Sequence, residues 1–349
     1  MRSAVLAAVK TWEFVLLVLV VVMLLVAASV VPGLTNPFSI STGLATFAPA
    51  ALMALPLALL VIVRDIDISV ASIAALSSVA GGLAIGAGQP VPVVVGIALL
   101  TGILCGALNG FFVAVLGLPA LLVTLGTLAL FRGLCYVLLG GTPISPLPDF
   151  FNALGNDDIP GLVIPWAIVP FVVLAVVFAV VLHSSTLGRR IYAIGGNPET
   201  AHYSGIHVTK IRFGLFVVSG LVSALAGLIN SGITSQIAPD GALGLELDVI
   251  TVVFLAGISV LGGKGRITGV VLASILILAL RKSLQLLNVS GYTQGIAVGG
   301  VLILSLLVTN LSQRLIGSVR DRRKPTLGAG ASTLGAATAG TTTAGTSTV

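Results

Sequence analysis

The chain has 349 residues, of which 57% are hydrophobic and 8% are charged, and its formal net charge is +6. A soluble domain carries roughly 25% charged residues, so this composition would leave very large apolar patches in water. It excludes a soluble enzyme, a nucleic-acid-binding protein and a disordered chain, and it predicts an all-α, polytopic membrane protein.

Charge-free runs and turn residues predict ten membrane spans, because a helix of about 20 residues crosses the hydrocarbon core. The longest runs are divided by the turn sequences Pro32-Gly33, Asn36-Pro37, Gly88-Gln89-Pro90 and Gly117-Leu118-Pro119. Two spans lie within residues 14–63 and three within 68–131, and the other five occupy 159–188, 213–239, 249–263, 267–280 and 283–313. The short pair 249–263 and 267–280 either crosses the membrane fully or forms a re-entrant hairpin.

The positive charges predict the orientation of these spans. With the N-terminus inside, most of the 17 Lys and Arg residues are cytoplasmic: Arg2, Lys10, Arg64, Arg189, Arg190, Lys210, Arg212, Lys264, Arg266, Arg314, Arg320, Arg322, Arg323 and Lys324. Outside lie Arg281 and Lys282, and Arg132 falls within a span. This asymmetry predicts that both termini are cytoplasmic.

The chain is expected to divide at residue 324. Residues 1–324 are predicted to form one transmembrane domain, and its first helix is kept, because the apolar run 14–31 is longer than that of a typical signal peptide. Residues 325–349 are small, polar and repetitive, so they cannot bury enough apolar surface to offset their ordering entropy. We expect this tail to be disordered.

Motifs that would give the chain its own energy source or catalysis are incomplete. The nearest approach to a phosphate-binding loop, residues 257–265, has one glycine too many before Lys264 and no hydroxyl residue after it. Cys105 and Cys135 lie in apolar runs without metal-ligand spacing and are interpreted as packing residues. We expect no catalytic residue, no metal site and no cofactor.

The acidic residues disfavour an ion-coupled carrier, which usually buries a carboxylate near the middle of the bilayer. The 11 acidic residues are all placed at span ends or in loops. Asp65 and Asp67 are the exception, because the sequence Arg64-Asp65-Ile66-Asp67-Ile68-Ser69 can fold back into the membrane.

The longest cytoplasmic segment, residues 184–206, contains the start and stop signals of a short amphipathic helix. Asn197 is the predicted N-cap and Pro198 the first helical residue, Glu199 complements the positive helix end, and Gly205 supplies the stop. Two interpretations are open: a solvated connector, or a helix that docks into a groove of a partner. In the second interpretation the contacting residues are Asn197, Pro198, Glu199, Ala201, Tyr203, Ser204 and Gly205.

Several motifs resemble those of one transporter family. Glu199-Thr200-Ala201-x-x-x-Gly205 resembles the E-A-A-x-x-x-G loop of ABC importer permeases, with Thr200 as a departure. Asp67-Ile68-Ser69-Val70-Ala71-Ser72 is similar to D-L-S-V-G-S, with departures at Ile68 and Ala71. Further similarities lie at 108–110, 117–119, 124–127, 132–133, 246–248 and 262–265. Over residues 40–312 the chain thus resembles the ribose-type sugar permeases of ABC importers.

The resemblance implies the membrane subunit of a binding-protein-dependent importer in the inner (plasma) membrane. It implies a second permease, identical or different, together with cytoplasmic ATPase subunits and an extracytoplasmic sugar-binding protein. Membrane lipid surrounds such a subunit, and no nucleic acid is involved. ATP is hydrolysed by the partner chain, so the permease itself is not an enzyme, and the helix at 199–205 would carry the coupling.

Polar residues within the spans are the candidates for a sugar pathway, since a neutral polyol needs a few hydrogen-bonding groups in an apolar wall. These candidates are Asp67, Ser69, Asn109, Thr124, Thr127 and Arg132. An interhelical hydrogen bond is an equal alternative for Asn109, and Thr124 and Thr127 can bond back to their own helix. Arg132 is costly inside a span, yet near the outer end its side chain can reach the interface instead.

Three function classes follow from these observations. The sequence favours an ABC importer permease over a secondary, ion-coupled transporter of small polar solutes. A membrane-embedded enzyme ranks third, because no nucleophile–base pair or metal cluster is present in the sequence. The residues do not specify the sugar: ribose, another pentose, rhamnose, galactose and a furanosyl signal molecule all suit this scaffold.

Overall fold

The computed structural model describes residues 12–321, and within them the chain forms thirteen α-helices and no β-strand. Their bounds are α1 Trp12–Val30, α2 Pro37–Ile62, α3 Val70–Gly86, α4 Val91–Gly110, α5 Ala120–Leu139, α6 Asp149–Asn156, α7 Val169–Ser184, α8 Thr186–Gly196, α9 Pro198–Tyr203, α10 Val208–Thr234, α11 Leu245–Leu255, α12 Ile267–Leu286 and α13 Gly291–Asp321. A π-helical turn, Phe111–Val115, extends α4, and a 3₁₀ turn, Trp166–Ile168, precedes α7. The predicted tail, residues 325–349, lies outside the described residues.

Seven of these helices are long and apolar enough to cross a membrane. They are α1, α2, α4 with its π-helical turn, α5, α7 with its 3₁₀ turn, α10 and α12. Helix α3 and the beginning of α13 are apolar but shorter. The chain is therefore a multi-pass, all-α membrane protein. The contacts described below lie in the compact unit that ends at Leu306, and the described residues after it, 307–321, are helical.

The predicted turn sequences are confirmed as helix boundaries, whereas several predicted runs are not helical throughout: 213–239 is helical only to Thr234, and 283–313 is interrupted between Leu286 and Gly291. Each of the four turn sequences separates two helices. The run predicted at 159–188 becomes helical only at Trp166, after Pro160 and Gly161. The prediction of a helical run over 249–263 is wrong: α11 ends at Leu255, because Gly257 has a φ of +78° that a right-handed helix does not accommodate.

Two helices form the centre of the bundle. Helix α2 is almost entirely buried, and α10 packs against α2, α3, α4 and α6. Helices α1, α5 and α7 instead present most of their apolar side chains on the outside, where a membrane protein meets lipid. The central pair therefore fixes the geometry of the candidate sites.

A glycine stripe lets α4 approach α10 closely. Gly102, Gly106 and Gly110 recur every fourth residue on α4, and they face Phe216 and Gly220 of α10. A Cβ atom at Gly106 would overlap the carbonyl oxygen of Phe216, and one at Gly220 would overlap that of Gly102. Small residues at this spacing bring two helix backbones together in membranes, so the contact requires glycine.

The non-helical segments 63–69 and 256–266 meet at one end of the bundle. The Gly263 N–H donates a hydrogen bond to the Ile62 carbonyl oxygen at 2.9 Å. Arg64, which has a φ of +72°, directs the chain away from α2 toward α3. We call this end the Arg64 end and the opposite end, which carries Arg281 at the C-terminal part of α12, the Arg281 end.

Candidate functional site

The segment 197–205, here called the coupling segment, folds as its local signals predict. The Asn197 side chain accepts a hydrogen bond from the Thr200 N–H at 3.0 Å, and Pro198 begins α9. Gly205 has a φ of +80°, and its N–H donates to the His202 carbonyl oxygen at 3.0 Å. The predicted N-cap, first residue and helix stop are therefore confirmed.

One side of the coupling segment is packed and the other is open. Ala201 is only 4% exposed and belongs to the main apolar core, whereas Tyr203 is 86% exposed. Glu199 is exposed as well, and the Ser204 hydroxyl donates to the Thr200 carbonyl oxygen within the segment. A large aromatic ring on an anchored helix is available for contact with another protein.

The base of the coupling segment is hydrogen-bonded to the Arg64 end. The Arg64 Nε donates to the Gly195 carbonyl oxygen at 2.8 Å, and its Nη2 donates to that of Gly196. A Cβ atom at Gly195 would overlap the Ile62 carbonyl oxygen, so α8 contacts the end of α2 at backbone distance. The coupling segment is thus connected to the chain reversal between α2 and α3.

A tyrosine adds a second connection, to the segment 256–266. The Tyr192 hydroxyl on α8 donates to the Gly265 carbonyl oxygen at 2.7 Å. Burial raises the pKa of the Tyr192 phenol above its ordinary value, so the group stays protonated and able to donate at neutral pH. Helix α8 therefore contacts both non-helical segments of the Arg64 end.

A buried ion pair lies directly after Arg64. Asp65 is 2% exposed, and the Arg212 guanidinium of α10 donates to both of its carboxylate oxygens, from Nε at 2.7 Å and from Nη2 at 2.5 Å. Such a two-pronged pair fixes the relative position of the two groups as well as compensating their charges. It joins the chain reversal to the beginning of α10.

A fully buried hydrogen-bond network follows, around Asp67. Asp67 is 0% exposed, and its carboxylate accepts hydrogen bonds from the Ser69 N–H at 3.0 Å and hydroxyl at 2.6 Å and from the Ser219 hydroxyl at 3.1 Å. The Asn109 amide donates to the Ser69 hydroxyl at 2.8 Å. From Arg212 to Ser219, α10 advances about two turns, or roughly 10 Å. The segment 64–69 therefore runs inward along α10.

The six pathway candidates are not all in contact with one another. Asp67, Ser69 and Asn109 share the buried network, and the Thr124 hydroxyl donates to the Ile66 carbonyl oxygen at 3.1 Å beside it. Thr124 also bonds back to Ala120 in its own helix, and Thr127 bonds back to Thr124, as the alternative interpretation predicted. The Asn109 amide connects α4 to Ser69, the residue before α3, which is a structural contact close to the interhelical hydrogen bond of its alternative.

Arg132 is separated from the other five candidates. Its Nη1 donates to the carbonyl oxygens of Pro239 at 3.0 Å and Gly241 at 2.7 Å. These residues lie in the connection between α10 and α11. Arg132 therefore holds a loop in place instead of joining the network around Asp67.

The match to known proteins covers this whole arrangement. The family model described as the permease component of the branched-chain amino acid transport system matches residues 39–306. The ribose import permease protein RbsC of Haemophilus influenzae is 35% identical over 268 residues, which cover 74% of this chain and 81% of that protein. This chain therefore belongs to the permease family that the model describes and that includes the ribose permeases.

Two further relatives carry other names. The autoinducer 2 import system permease protein LsrD of an Enterobacter species is 31% identical over 307 residues, which cover 86% of this chain and 93% of that protein. The L-arabinose transport system permease protein AraH of Escherichia coli is 33% identical over 251 residues, covering 72% of this chain and 76% of the relative. No solved structure matches the permease significantly.

The permease contains a second buried ion pair that the sequence did not reveal. Asp248 of α11, which was predicted like the other acidic residues to lie at a span end or in a loop, is 2% exposed and accepts hydrogen bonds from the Arg281 guanidinium, from Nε at 3.0 Å. Arg281 and Lys282 are the two positive charges that the sequence places outside, against the general asymmetry. Their unusual position was the one sequence signal that Arg281 has a buried acidic partner. Within the described residues of the permease, no group of three or more His, Cys, Asp or Glu side chains could hold a metal ion.

Proposed function

We propose that this permease is the membrane subunit of an ABC importer that moves a monosaccharide across the inner membrane, powered by ATP hydrolysis on separate subunits. The observation that carries the proposal is the coupling segment: a capped helix with an exposed Tyr203, whose base is hydrogen-bonded to the Arg64 end. A sugar is the substrate class because the named relatives import ribose, L-arabinose and autoinducer 2.

The proposed topology has ten spans with both termini in the cytoplasm. Besides the seven long helices, α3 and α13 would cross, and α11 would complete a crossing together with the connection 235–244. The Arg64 end would then face the cytoplasm. The predominance of Lys and Arg on that side supports this orientation.

The proposed mechanism is a shift between two access states of a permease pair. ATP binding between the ATPase subunits would move the coupling segment, which is anchored through Arg64 and Tyr192. Since the Asp65–Arg212 pair and the Asp67 network follow in the chain, the movement would reach the reversal between α2 and α3. A ligand-driven change of this kind requires different contacts in the two states.

The proposed assembly also includes a second permease, identical or different, and an extracytoplasmic protein that delivers the sugar. The surrounding lipid would contact α1, α5 and α7, whose apolar side chains are largely exposed. No catalytic role is proposed for the chain.

An ion-coupled transporter is the second candidate, because Asp67 is a fully buried carboxylate. Coupling would require that carboxylate to bind and release a cation or a proton. An Asp67→Asn variant separates the two candidates. The amide keeps one acceptor oxygen for Ser69, and the Ser219 hydroxyl can accept from its NH₂ group. We expect the variant to retain uptake within about fivefold if the network is structural, since each neutral hydrogen bond contributes roughly 1 kcal/mol.

The main experiment measures uptake of labelled D-ribose, L-arabinose, L-rhamnose and D-galactose, here called the sugar panel. Cells carry the permease with its co-encoded partners, and the matched control inactivates the ATPase subunit at its phosphate-binding lysine. We expect uptake of one or more sugars that stops in the control and survives a protonophore while ATP is maintained. Uptake that persists without a working ATPase and stops with the protonophore would establish the second candidate instead.

A further inference from the structure

A polar cavity lies toward the Arg281 end of the bundle, away from the network around Asp67. It has a volume of about 270 Å³ and is bounded by α3, α10 and the connection 235–244. Its polar lining residues are Ser78, Asn230, Ser231, Thr234, Gln236 and Asp240. From Thr234, the last residue of α10, to Gly227 on the cavity wall the helix extends about 10 Å. The cavity therefore extends into the helical part of the protein.

The walls of this cavity are fixed by specific contacts. A Cβ atom at Gly227 would overlap the Ala74 carbonyl oxygen, so α3 and α10 touch at backbone distance below the cavity. The connection is paired with the segment after α5, through reciprocal hydrogen bonds of Ile144 and Ile237 at 2.8 and 3.0 Å. Arg132 holds the same connection through two carbonyl oxygens. The cavity is thus preformed, which reduces the ordering cost of binding.

Two of the lining residues present hydrogen-bonding groups that the protein does not use. The Asn230 amide, on α10, is half-buried and the Asp240 carboxylate, in the connection, is exposed at the mouth of the cavity; neither makes a hydrogen bond or ion pair with any residue that the structure describes. Asparagine has a poor helix propensity and is expected near the interior of a membrane helix only where its amide has a role. An amide and a carboxylate facing one cavity can each bind a hydroxyl group of a polyol.

The size of the cavity also fits a single sugar ring. At about 30 Å³ per water molecule, it holds roughly nine waters, which is close to the roughly ten non-hydrogen atoms of a pentose. The lining has no Lys or Arg, so the cavity is not suited to an anionic solute.

We infer that this cavity binds one neutral monosaccharide ring during its passage, with Asn230 and Asp240 contacting its hydroxyl groups. The inference rests on the proposed function and adds the place and the residues. It differs from the sequence prediction, because only Arg132 among the six pathway candidates is involved, as a residue that positions the wall.

The test compares maximal uptake rates for the sugar panel among three variants. Asn230→Leu and Asp240→Leu each remove one sugar contact with little change in side-chain size, and we expect each to lower the maximal rate about 3- to 30-fold. Ala238→Trp fills the cavity and should lower it more than about tenfold. Thr101→Val is the matched control for the loss of a polar group. The Thr101 hydroxyl bonds only to Ile97 in its own helix, so this variant should transport normally.

Folding and transport are separated by two additional measurements. The amount of each variant in the membrane, and the stimulation of ATPase activity by the sugar-loaded binding protein, should match the wild type, since both precede passage through the cavity. If the wild type imports a sugar and Asn230→Leu and Ala238→Trp both import it within twofold of the wild-type rate, the inference is refuted and the proposed function stands. If the wild type imports no sugar of the panel, the proposed function fails, and the inference fails with it.

Discussion

Gly205 ends the coupling segment in a left-handed backbone conformation, which can be perturbed without a steric clash. Its φ is +80°, and a Cβ atom at this position would have no heavy atom within 4 Å. A substitution there acts through the backbone conformation alone. An L-residue in this region costs roughly 1–2 kcal/mol, with asparagine penalised least and β-branched residues most.

We expect the loss of coupling between the permease and its ATPase to follow the conformational penalty at positive φ, smallest for asparagine and largest for a β-branched residue. A cost of about 1–2 kcal/mol corresponds to a roughly 5- to 30-fold smaller population of the correctly ended helix. In proteoliposomes, Gly205→Ala should lower the stimulation of ATPase activity by sugar-loaded binding protein within that range. Gly205→Arg should lower it as Gly205→Ala does, Gly205→Val should abolish it, and Gly205→Asn should keep most of it. Membrane levels should stay unchanged for all four variants.

The comparison of Asn with Val decides the argument, because the two side chains are similar in size but differ in their tolerance of positive φ. Equal impairment of Gly205→Asn and Gly205→Val would show that the left-handed conformation is not the cause. Normal ATPase stimulation in Gly205→Arg would refute the coupling role of the segment altogether.

Two further predictions concern packing inside the bundle. Gly106→Ala should lower the midpoint of thermal unfolding in detergent, because overpacking against the backbone of α10 costs about 1–3 kcal/mol. The control is Gly96→Ala on the same helix, where a Cβ meets no atom within 4 Å, and this variant should not lower the midpoint. Equal midpoints for both variants would contradict the close α4–α10 contact. Asp65→Asn should destabilise by about 2–4 kcal/mol, because it leaves the Arg212 charge partly buried without its partner. Combining it with Arg212→Met should recover part of the loss, and no recovery in the double variant would argue against the ion pair.

The coupling segment could be predicted from the sequence because its signals are local. An N-cap bonds to a backbone group three residues away, and Asn197 does so; a helix stop depends on one residue, and Gly205 supplies it. The same holds for the turn sequences between the spans. Local chemistry therefore sufficed for these boundaries, whereas the helix ends that no turn sequence marks, such as Leu255 and Leu286, were not predicted.

The pairs between distant residues could not be predicted in the same way. Asp248 and Arg281 are 33 residues apart, and Asp65 and Arg212 are 147 residues apart. Counting charges assigns each residue to a side of the membrane, but it does not show which helices are neighbours. Buried carboxylates in such pairs were therefore assigned to loops or span ends.

Helix α11 illustrates a different failure. A charge-free run reports hydropathy, whereas the end of a helix depends on backbone conformation, and the glycine at 257 has a positive φ.

The polar cavity could not be predicted from the sequence for a related reason. Its lining comes from α3, α10 and the connection 235–244, and Asn230 was not distinguishable from other polar residues without that assembly.

Helix α10 connects the Arg64 end with the polar cavity, the two places that the proposed function uses. It carries Arg212 at the Arg64 end, Ser219 in the buried network and Asn230 at the cavity. Its length is about 40 Å, and close contacts with α3 and α4 leave it little freedom to bend independently. A displacement of Arg212 by the coupling segment would therefore move the cavity wall as part of one rigid element. In the proposed mechanism a shared helix, and not a relay of separate side chains, would relate ATP binding to the proposed sugar cavity.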